Sequence, residues 1–389
     1  MATNRREIDD WTALFNEAAQ VFSPGAPIDE TDLFAGRVDQ LRDLINAVNQ
    51  RGQHAIIFGE RGVGKTSLAN IFVNYIHRPA SRVLSTRINC DSVTNFQNLW
   101  RKVFDELQID ATIDRNTGPD DIRRMLGMLS RNNVIGIVFD EFDRLPQGKT
   151  STLLADTIKA MSDHSVPTTI VIVGVADTVG ELLKEHGSIG RALVEIPMPR
   201  MSDTEISEII EKRIARLGMK IETNVCSQII KYSQGLPHYA HLMGMYTAQE
   251  AARNRTKNIN IDHFKSAINS CITKAQQSIR EAYHKATTSP RPDNLFKEVL
   301  LACSLAHPDE LGFFAATDVV WPMSEIMGTH YGIPSFARHL KEFCEESRGN
   351  ILERRGVARK FRYRFRDPLM KPYISLQGFA SGLTPTAFR

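Results

Sequence analysis

The feature that most constrains the fold is the stretch "IIFGERGVGKTSLANIF" at residues 56–72. In it, an apolar run leads into a loop of the form G-x-x-x-x-G-K-T, and a helix-like pattern follows. Glycines in such a loop let backbone N–H groups approach and surround phosphate oxygens. A strand before the loop and a helix after it argue against a chance glycine turn. The sequence therefore predicts a phosphate-binding loop between a strand and a helix.

The predicted loop supplies backbone donors and two side chains with distinct tasks. We expect Lys65 to reach the β- and γ-phosphates and the hydroxyl of Thr66 to bind Mg²⁺. ATP with Mg²⁺ is therefore the predicted ligand. The candidate nucleotide-binding residues of the loop and of the turn after it are Gly59, Glu60, Arg61, Gly62, Val63, Gly64, Lys65, Thr66 and Ser67.

Short apolar, β-branched runs alternate with helical patterns from Leu33 to about Pro199. Near-continuous apolar strands separated by helices are typical of strands buried on both faces, and hence of a parallel sheet. The predicted fold class is therefore α/β, with a parallel-sheet core that carries the phosphate loop. The predicted strands are "HAIIF" (54–58), "VLSTRIN" (83–89), "VIGIVF" (134–139), "TTIVIVGV" (168–175) and a short "LVEIPM" (193–198).

Beyond this core the pattern changes. Residues 201–285 carry only helical periodicity, and Ser202 and Glu205 have the spacing of a capping box. The segment "TTSPRPDN" holds two prolines and is typical of a linker. The predicted domains are an N-terminal helical segment (1–30), a nucleotide-binding core (31–200), a helical lid (201–286), a linker (287–294) and a small C-terminal domain (295–389).

Composition is that of a soluble globular protein, since 42% of the 389 residues are hydrophobic and 24% are charged. A net charge of +3 does not by itself indicate nucleic acid, although a local basic face still can. The five cysteines are scattered, which argues against a zinc site or a disulfide framework. The N-terminus lacks the apolar segment of a signal peptide, and no apolar run approaches the ~18 residues of a membrane span. We therefore expect a cytoplasmic protein without a membrane partner.

The run "VIGIVFDEFDRL" ends a buried strand in Asp140 and Glu141. A carboxylate at the carboxyl edge of a strand can bind Mg²⁺, and a second one beside it can polarise the attacking water. We therefore predict that Asp140 binds the metal ion and that Glu141 is the catalytic base. The alternative is an acidic loop that merely ends a strand. Asp143 is predicted to cap the next helix.

Four motifs, "LFAGRVDQL", "GERGVGKTS", "VFDEFDRL" and "SIGR", together resemble those of the AAA+ ATPases. The resemblance is nearest to the replication-initiator (origin-recognition) clade and to the STAND signalling ATPases, over about residues 30–270. It implies that Phe34 to Arg37 lie near the adenine. It also implies that Arg191 is an arginine finger that reaches the γ-phosphate of a neighbouring subunit, and hence an ATP-dependent homo-oligomer. The alternative for Arg191 is a solvated surface arginine.

The sequence departs from the AAA+ pattern after the strand "TIVIVGV", where these families place a polar sensor. Asp177 stands there, and an anionic side chain beside a γ-phosphate is unfavourable unless a cation intervenes. The alternative is that Asp177 or Thr178 caps the next helix, with Glu181 completing a box from Thr178. Asp177 remains a candidate catalytic residue, and its charge favours slow hydrolysis.

A second departure lies in the lid, where initiators carry an arginine that touches the nucleotide. The turn Gly235-Leu236-Pro237 stands here instead and resembles the G-x-P turn of STAND ATPases. That resemblance implies that Pro237 packs near the base and that His238 approaches the phosphates. The alternative for His238 is an ordinary helix-start residue.

The C-terminal run "RKFRYRFRD" has strand alternation, which places aromatic residues 361, 363 and 365 on one face and arginines on the other. Helical patterns that include 334–347, followed by a two-stranded ribbon, resemble a winged helix. Arginines ~7 Å apart along a strand match the phosphate spacing of a nucleic acid. The alternative is a solvated arginine face. The candidate nucleic-acid-binding residues are Arg359, Lys360, Arg362, Arg364 and Arg366.

The motifs offer no second catalytic chemistry, so ATP is expected to control conformation and assembly through slow hydrolysis. One hypothesis is an ATP-dependent switch that binds double-stranded DNA through a winged helix. A second is a signalling or antiphage-defence ATPase that acts on a protein partner. A third is a helper ATPase for transposition or recombination.

Overall fold

The computed structural model describes the chain in nine stretches, namely residues 2–25, 35–73, 82–131, 133–146, 148–176, 189–291, 294–309, 311–357 and 360–388. Within the N-terminal helix, side chains are described from Asp10 onward. The chain divides into two compact units. One unit is Gly25–Met201, and the other joins Met1–Pro24 to Ser202–Arg389.

The unit Gly25–Met201 is built on a five-stranded parallel sheet in the order β2-β3-β4-β1-β5. The α/β class and the positions of the five predicted strands are confirmed. Both faces of β3 and β4 are buried, which explains why their sequences are nearly continuous apolar runs. The strands are β1 His54–Gly59, β2 Arg82–Asn89, β3 Asn133–Asp140, β4 Thr168–Val175 and β5 Leu193–Pro197.

Helices cover this sheet, and their aromatic side chains anchor β3. Trp100 is fully buried and meets Phe139 of β3 edge-on, with ring centroids 5.7 Å apart. Burial of an aromatic side chain of this size fixes the strand whose last residue is Asp140. The described helices of this unit are α2 Val38–Asn49, α3 Lys65–Val73, α4 Phe96–Glu106, α5 Pro119–Leu129 and α6 Lys149–Asp163.

The second unit begins with helices that include the chain's N-terminus. Helix α1 packs against α9, where a Cβ at Gly244 would lie 2.3 Å from the ring of the buried Phe22. The glycine is therefore needed for this close approach. The capping box of Ser202 and Glu205 is confirmed. The helices are α1 Ala2–Val21, α7 Asp203–Arg216, α8 Thr223–Ser233, α9 Pro237–Arg253, α10 Ile261–Lys274 and α11 Gln277–Thr287.

The expectation of helices alone over 201–285 was wrong, because two short parallel strands also lie there. They are β6 Lys220–Ile221 and β7 Asn258–Ile259. Strands of two residues are too short to produce an alternating pattern, so periodicity could not reveal them.

The C-terminal part carries a three-stranded antiparallel sheet in the order β8-β10-β9. The predicted ribbon corresponds to β9 and β10, whereas β8 and the last long helix were not anticipated. The helix expected over 334–347 is only six residues long, and short 3₁₀ turns flank it. The elements are α12 Phe296–Leu305, β8 Phe314–Ala315, α13 Ala316–Met327, α14 Ala337–Glu342, β9 Leu352–Arg355, β10 Arg362–Phe365 and α15 Met370–Ala380. Among the described helices of both units, none is long and apolar enough to cross a membrane.

Candidate functional site

The predicted phosphate loop leaves the carboxyl end of β1 and enters α3, and its glycines adopt backbone conformations that L-residues avoid. The φ angles of Gly59, Gly62 and Gly64 are 148°, 85° and 95°. At Gly59 a Cβ would also lie 2.4 Å from the carbonyl oxygen of Met198, the residue that follows β5. The backbone N–H of Met198 donates to the carbonyl of Phe58 at 2.8 Å. The loop conformation therefore depends on glycine for both torsional and steric reasons.

The ammonium group of Lys65 lies inside this loop. It is buried and donates hydrogen bonds to the carbonyl oxygens of Gly59, at 2.9 Å, and of Glu60, at 2.7 Å. Burial lowers the pKa of Lys65 to about 8, although the carboxylates of Asp143 and Asp140 oppose that shift. Phosphate oxygens are stronger acceptors for an ammonium group than these neutral carbonyls. The side chain is therefore placed to exchange its partners for a nucleotide's phosphates.

Asp140 and Glu141 follow β3 at the same carboxyl edge of the sheet. Asp140 is buried, and its Oδ1 accepts a hydrogen bond of 2.8 Å from the backbone N–H of Glu141. Glu141 has φ 53° and ψ 39°, a left-handed conformation, and its carboxylate accepts a hydrogen bond of 2.6 Å from Arg144. Because strand ends of a parallel sheet share one edge, Asp140 and Lys65 act on each other electrostatically. The structure thus brings the predicted metal ligand and base to the edge that carries the phosphate loop.

Asp143 does not cap the next helix, contrary to the sequence prediction. Helix α6 begins at Lys149 and its N-cap is Gly148. The Oδ1 of Asp143 accepts a hydrogen bond of 2.8 Å from the backbone N–H of Val175, at the end of β4. It is also the charged neighbour with the largest effect on the pKa of Lys65. Asp143 therefore belongs to the site, and its position in D-E-F-D after a buried strand was the signal that could have shown this.

Arg37 is a second residue whose role the sequence did not reveal. Its guanidinium is buried and donates hydrogen bonds to the carbonyl of Val63 in the loop, at 3.2 Å, and to the carbonyl of Pro199. Arg37 therefore links the phosphate loop to the segment after β5. A contact of Arg37 with adenine stays a prediction, and Phe34 lies outside the described residues.

Glu60 forms an ion pair with Arg200, with Arg200 Nε 2.7 Å from Glu60 Oε2. Both side chains are partly buried, with 30% and 25% of their surfaces exposed. The two residues are far apart in the sequence, so no local pattern could have predicted the pair. It places a cation directly against the acidic residue of the phosphate loop.

The oxygen donors at this edge suit Mg²⁺. Thr66 stands in the first turn of α3 directly after Lys65, and Asp140 offers a buried carboxylate. Mg²⁺ is commonly held by one or two protein oxygens, with water and phosphate completing its coordination. Among the described residues, no group of three or more His, Cys, Asp or Glu forms a metal site. The residues present therefore fit a metal ion that binds together with nucleotide.

Arg191 is exposed and lies near the amino ends of the strands, whereas the phosphate loop lies at their carboxyl ends. It precedes β5, whose Leu193 pairs with His54 at the start of β1, whereas the phosphate loop follows the end of β1. A strand of this length separates the two edges by roughly 20 Å. The amide of Gln53 donates to the carbonyl of Arg191 at 3.1 Å and helps to fix its turn. Within one chain Arg191 is thus separated from the loop, and Asp177 lies outside the described residues.

Pro237 and His238 begin α9 in the other unit. Pro237 is buried at the first helical position. The Nδ1 of His238 lies 2.8 Å from the carbonyl oxygen of Pro24, which follows α1. These residues therefore have contacts within their own unit, and their approach to a nucleotide stays a prediction.

The C-terminal strand β10 has the predicted alternation over its short length. Tyr363 and Phe365 are buried, whereas Arg362 and Arg366 are exposed. Phe361 lies outside the strand, is half-buried, and stacks under the guanidinium of Arg354 at 4.1 Å. Phe361 is therefore not part of a fully buried aromatic face.

The arginines opposite that face have partners within the chain. Arg364 forms an ion pair of 2.7 Å with Glu353 and donates to the carbonyl of Leu311 at 3.1 Å. Arg362 lies 3.1 Å from Asp309. Arg359 lies outside the described residues. The exposed cations in and beside β9 and β10, called the basic cluster below, are Arg354, Arg355, Lys360, Arg362 and Arg366.

Comparisons with known proteins agree on the fold. The family model described as "Novel STAND NTPase 1" matches residues 27–312. Among solved structures, the Aeropyrum pernix ORC2 protein, in ADPNP–ADP complexes, is 13% identical with a TM-score of 0.56, covering 94% of this chain and 96% of that one. No curated protein sequence matches the chain.

Two further solved structures cover nearly the whole chain. The Aeropyrum pernix ORC1 protein in complex with DNA is 17% identical with a TM-score of 0.53, covering 93% of this chain and 97% of that one. Cdc6p from Pyrobaculum aerophilum is 18% identical with a TM-score of 0.51, covering 95% and 99%. These similarities show that the chain shares the fold of these ORC and Cdc6 proteins.

Proposed function

The chain belongs to the Novel STAND NTPase 1 family, and from this premise we propose that it is a slowly hydrolysing ATPase that uses ATP as a conformational switch. The observation that carries the proposal is the position of Lys65. Its buried ammonium lies between loop carbonyls, under the influence of Asp140 and Asp143 at the neighbouring strand ends. A buried lysine on a glycine loop beside a buried carboxylate matches the requirements of phosphoryl chemistry.

Binding in this proposal begins with the loop. Backbone N–H groups of Gly62 and Gly64 and the ammonium of Lys65 bind phosphate oxygens, and Lys65 leaves the carbonyls of Gly59 and Glu60. Thr66 and Asp140 would hold Mg²⁺, which would neutralise part of the phosphate charge. Arg37 keeps the loop backbone in place through its bond to Val63.

Hydrolysis requires Glu141 to orient and deprotonate a water molecule. In the structure this carboxylate is bound to Arg144, so the base must leave that partner before it acts. This pairing, together with the predicted sensor Asp177, supports slow turnover. An ATPase of this kind spends most of its time in one nucleotide state, as a switch must.

The proposal is tested with two variants in parallel. Lys65→Ala should abolish ATP binding, because it removes the phosphate-binding cation. Glu141→Gln should retain ATP binding but release no phosphate, because the amide cannot accept the proton. Equilibrium binding of a fluorescent ATP analogue and phosphate release measure the two steps separately. Equal hydrolysis by wild type and Glu141→Gln would show that the base is another residue.

We further propose that ATP promotes self-association, with Arg191 completing the site of a neighbouring subunit. The supporting observation is that Arg191 is exposed near the amino ends of the strands, whereas its own phosphate loop lies at their carboxyl ends. From that position it can serve only the nucleotide of another copy.

A second proposed activity is binding of double-stranded DNA by the C-terminal domain, which we take to be a winged helix. The supporting observation is the basic cluster, whose five cations are exposed around a small antiparallel sheet. The ORC1 relative of similar fold has been solved with DNA. The alternatives remain a signalling or defence ATPase with a protein partner, and a helper ATPase for transposition or recombination. In each case we expect a cytoplasmic protein with the five-part domain division predicted from the sequence.

A further inference from the structure

The phosphate loop contains an acidic residue, which conflicts with its expected ligand. Glu60 follows Gly59 directly, and its own backbone carbonyl is one of the two acceptors of Lys65. A carboxylate next to a triphosphate is repelled by it, and the repulsion grows where water is partly excluded. About three quarters of the Glu60 side chain is shielded from solvent. Some other group must therefore compensate for this charge when a nucleotide binds.

Arg200 occupies the position where such compensation is needed. Its Nε lies 2.7 Å from Glu60 Oε2, and both side chains are mostly covered. The backbone that carries Arg200 is itself fixed to the loop. Pro199 accepts a hydrogen bond from Arg37, whose guanidinium also binds Val63, and Met198 binds the carbonyl of Phe58. The backbone of Arg200 is therefore kept close to the loop by contacts that do not involve the Arg200 side chain.

We propose that Arg200 is a positioning residue of the phosphate loop, which holds the Glu60 carboxylate and neutralises it so that phosphates can enter. The inference rests on the proposed nucleotide binding and assigns a role that the loop motif alone does not contain. Arg200 acts through Glu60 and need not contact the nucleotide. Its effect on nucleotide affinity must therefore depend on the presence of the Glu60 carboxylate.

This dependence gives a double-mutant test with ATP and Mg²⁺ as the probe. Arg200→Gln should weaken ATP binding about tenfold, because Glu60 is left as an uncompensated charge beside the phosphates. Arg200→Lys should retain most of the affinity, since it keeps the charge. In the Glu60→Gln background, Arg200→Gln should cost at most about threefold, because no carboxylate remains to be held and only the arginine's own attraction for phosphate is lost. An ion pair that only stabilises the fold would show the same suppression, but Glu60→Gln alone would then weaken ATP binding instead of strengthening it.

Arg123→Gln provides a matched control within the same unit. Arg123 forms an ion pair of 2.8 Å with Asp120, and 20% of its side chain is exposed. Its removal from α5 should leave ATP affinity unchanged. Circular dichroism should confirm that each variant is folded. If Arg200→Gln does not fold, the single variant Glu60→Gln still tests the idea, because it should bind ATP about threefold more tightly than wild type.

The outcomes separate this inference from the proposed function. Wild type that fails to bind ATP would overturn both. Wild type that binds ATP, with Arg200→Gln losing the same factor in both backgrounds, would overturn the inference alone. Weaker binding by Glu60→Gln than by wild type would also overturn it, because the carboxylate would then assist the ligand.

Discussion

The guanidinium of Arg144 donates a hydrogen bond of 2.6 Å to the carboxylate of Glu141, within one short turn after β3. The two side chains are 57% and 51% exposed, so water screens their attraction. Exposed pairs of this kind contribute about 0.2–1 kcal/mol. The bond is strong enough to occupy the candidate base for much of the time, and weak enough to open readily.

Removing this partner should speed hydrolysis. Arg144→Gln is expected to raise the turnover number by up to about fivefold, because about 1 kcal/mol of restraint on Glu141 is lost. Phosphate release at saturating ATP measures the effect. Arg124→Gln is a close control, since its pair with Asp121 has the same length of 2.6 Å, the same i,i+3 spacing and similar exposure. Slower turnover in Arg144→Gln would mean that Arg144 orients the base for the reaction.

The buried ammonium of Lys65 predicts a pH dependence of ATP binding. Its pKa is lowered to about 8 in the free protein, whereas bound phosphates favour the charged form and raise that pKa. ATP binding should therefore take up a proton above pH 8, and affinity should fall by up to about tenfold per pH unit there. Below pH 7, Lys65 should contribute no such dependence.

Calorimetric titration in buffers of different ionisation enthalpy measures this proton uptake directly. Lys65→Arg supplies the control, because a guanidinium stays charged throughout this range and should show no uptake from this position. Proton release on binding at pH 9 would contradict the prediction.

Arg191 should act across a subunit interface. Arg191→Ala is expected to lower turnover at least about tenfold while leaving ATP affinity nearly intact, because the residue lies far from its own loop. Mixing Arg191→Ala, which is impaired alone, with Lys65→Ala, which is inactive alone, should restore part of the activity, since some interfaces then combine an intact loop with an intact arginine. Light scattering that shows a monomer with and without a slowly hydrolysed ATP analogue would refute the shared site.

The basic cluster should give duplex DNA binding a measurable salt dependence. Replacing Lys360, Arg362 and Arg366 with serine is expected to flatten the slope of log affinity against log salt by about 2.7, if each contacts one phosphate. ATP hydrolysis by the free protein should not change. The charge-matched control replaces three exposed lysines of the predicted helical lid (201–286) with serine, namely Lys257, Lys265 and Lys274. No duplex binding by wild type at low salt would favour a protein partner.

A separate prediction concerns Arg364, because its guanidinium group is already bound to the carboxylate of Glu353. Glu353→Gln should release it for a phosphate and steepen the salt slope by up to about 0.9. An unchanged slope would indicate that Arg364 only supports the sheet through its contact with Leu311.

The sequence predicts those parts of the fold that rest on local patterns. The strands β3 and β4 are apolar almost throughout, and the phosphate loop has a fixed spacing of glycines and lysine. Each can be recognised without knowledge of the rest of the chain. The sequence of Asp140 and Glu141 after a buried strand was informative for the same reason.

What could not be predicted depends on residues distant in sequence. Nothing near Glu60 indicates Arg200, and nothing near Arg37 indicates Pro199. The packing of α1 on α9 likewise depends on one glycine, Gly244, that resembles any helix interior glycine in the sequence. Strand alternation predicted the face of β10 on which Arg364 lies. It could not predict the ion pair of Arg364 with Glu353, because Glu353 lies on β9.

The left-handed backbone of Glu141 sets selection for activity against selection for stability. A non-glycine residue in this conformation costs about 1–2 kcal/mol of folding free energy, which Gly would relieve and Asn would reduce. In a saturation-mutagenesis library sorted for abundance, Gly and Asn at position 141 should therefore be enriched. Sorted for ATP turnover, the same variants should disappear. Related proteins that bind ATP as a switch without hydrolysing it could therefore carry Gly or Asn at this position and gain folding stability.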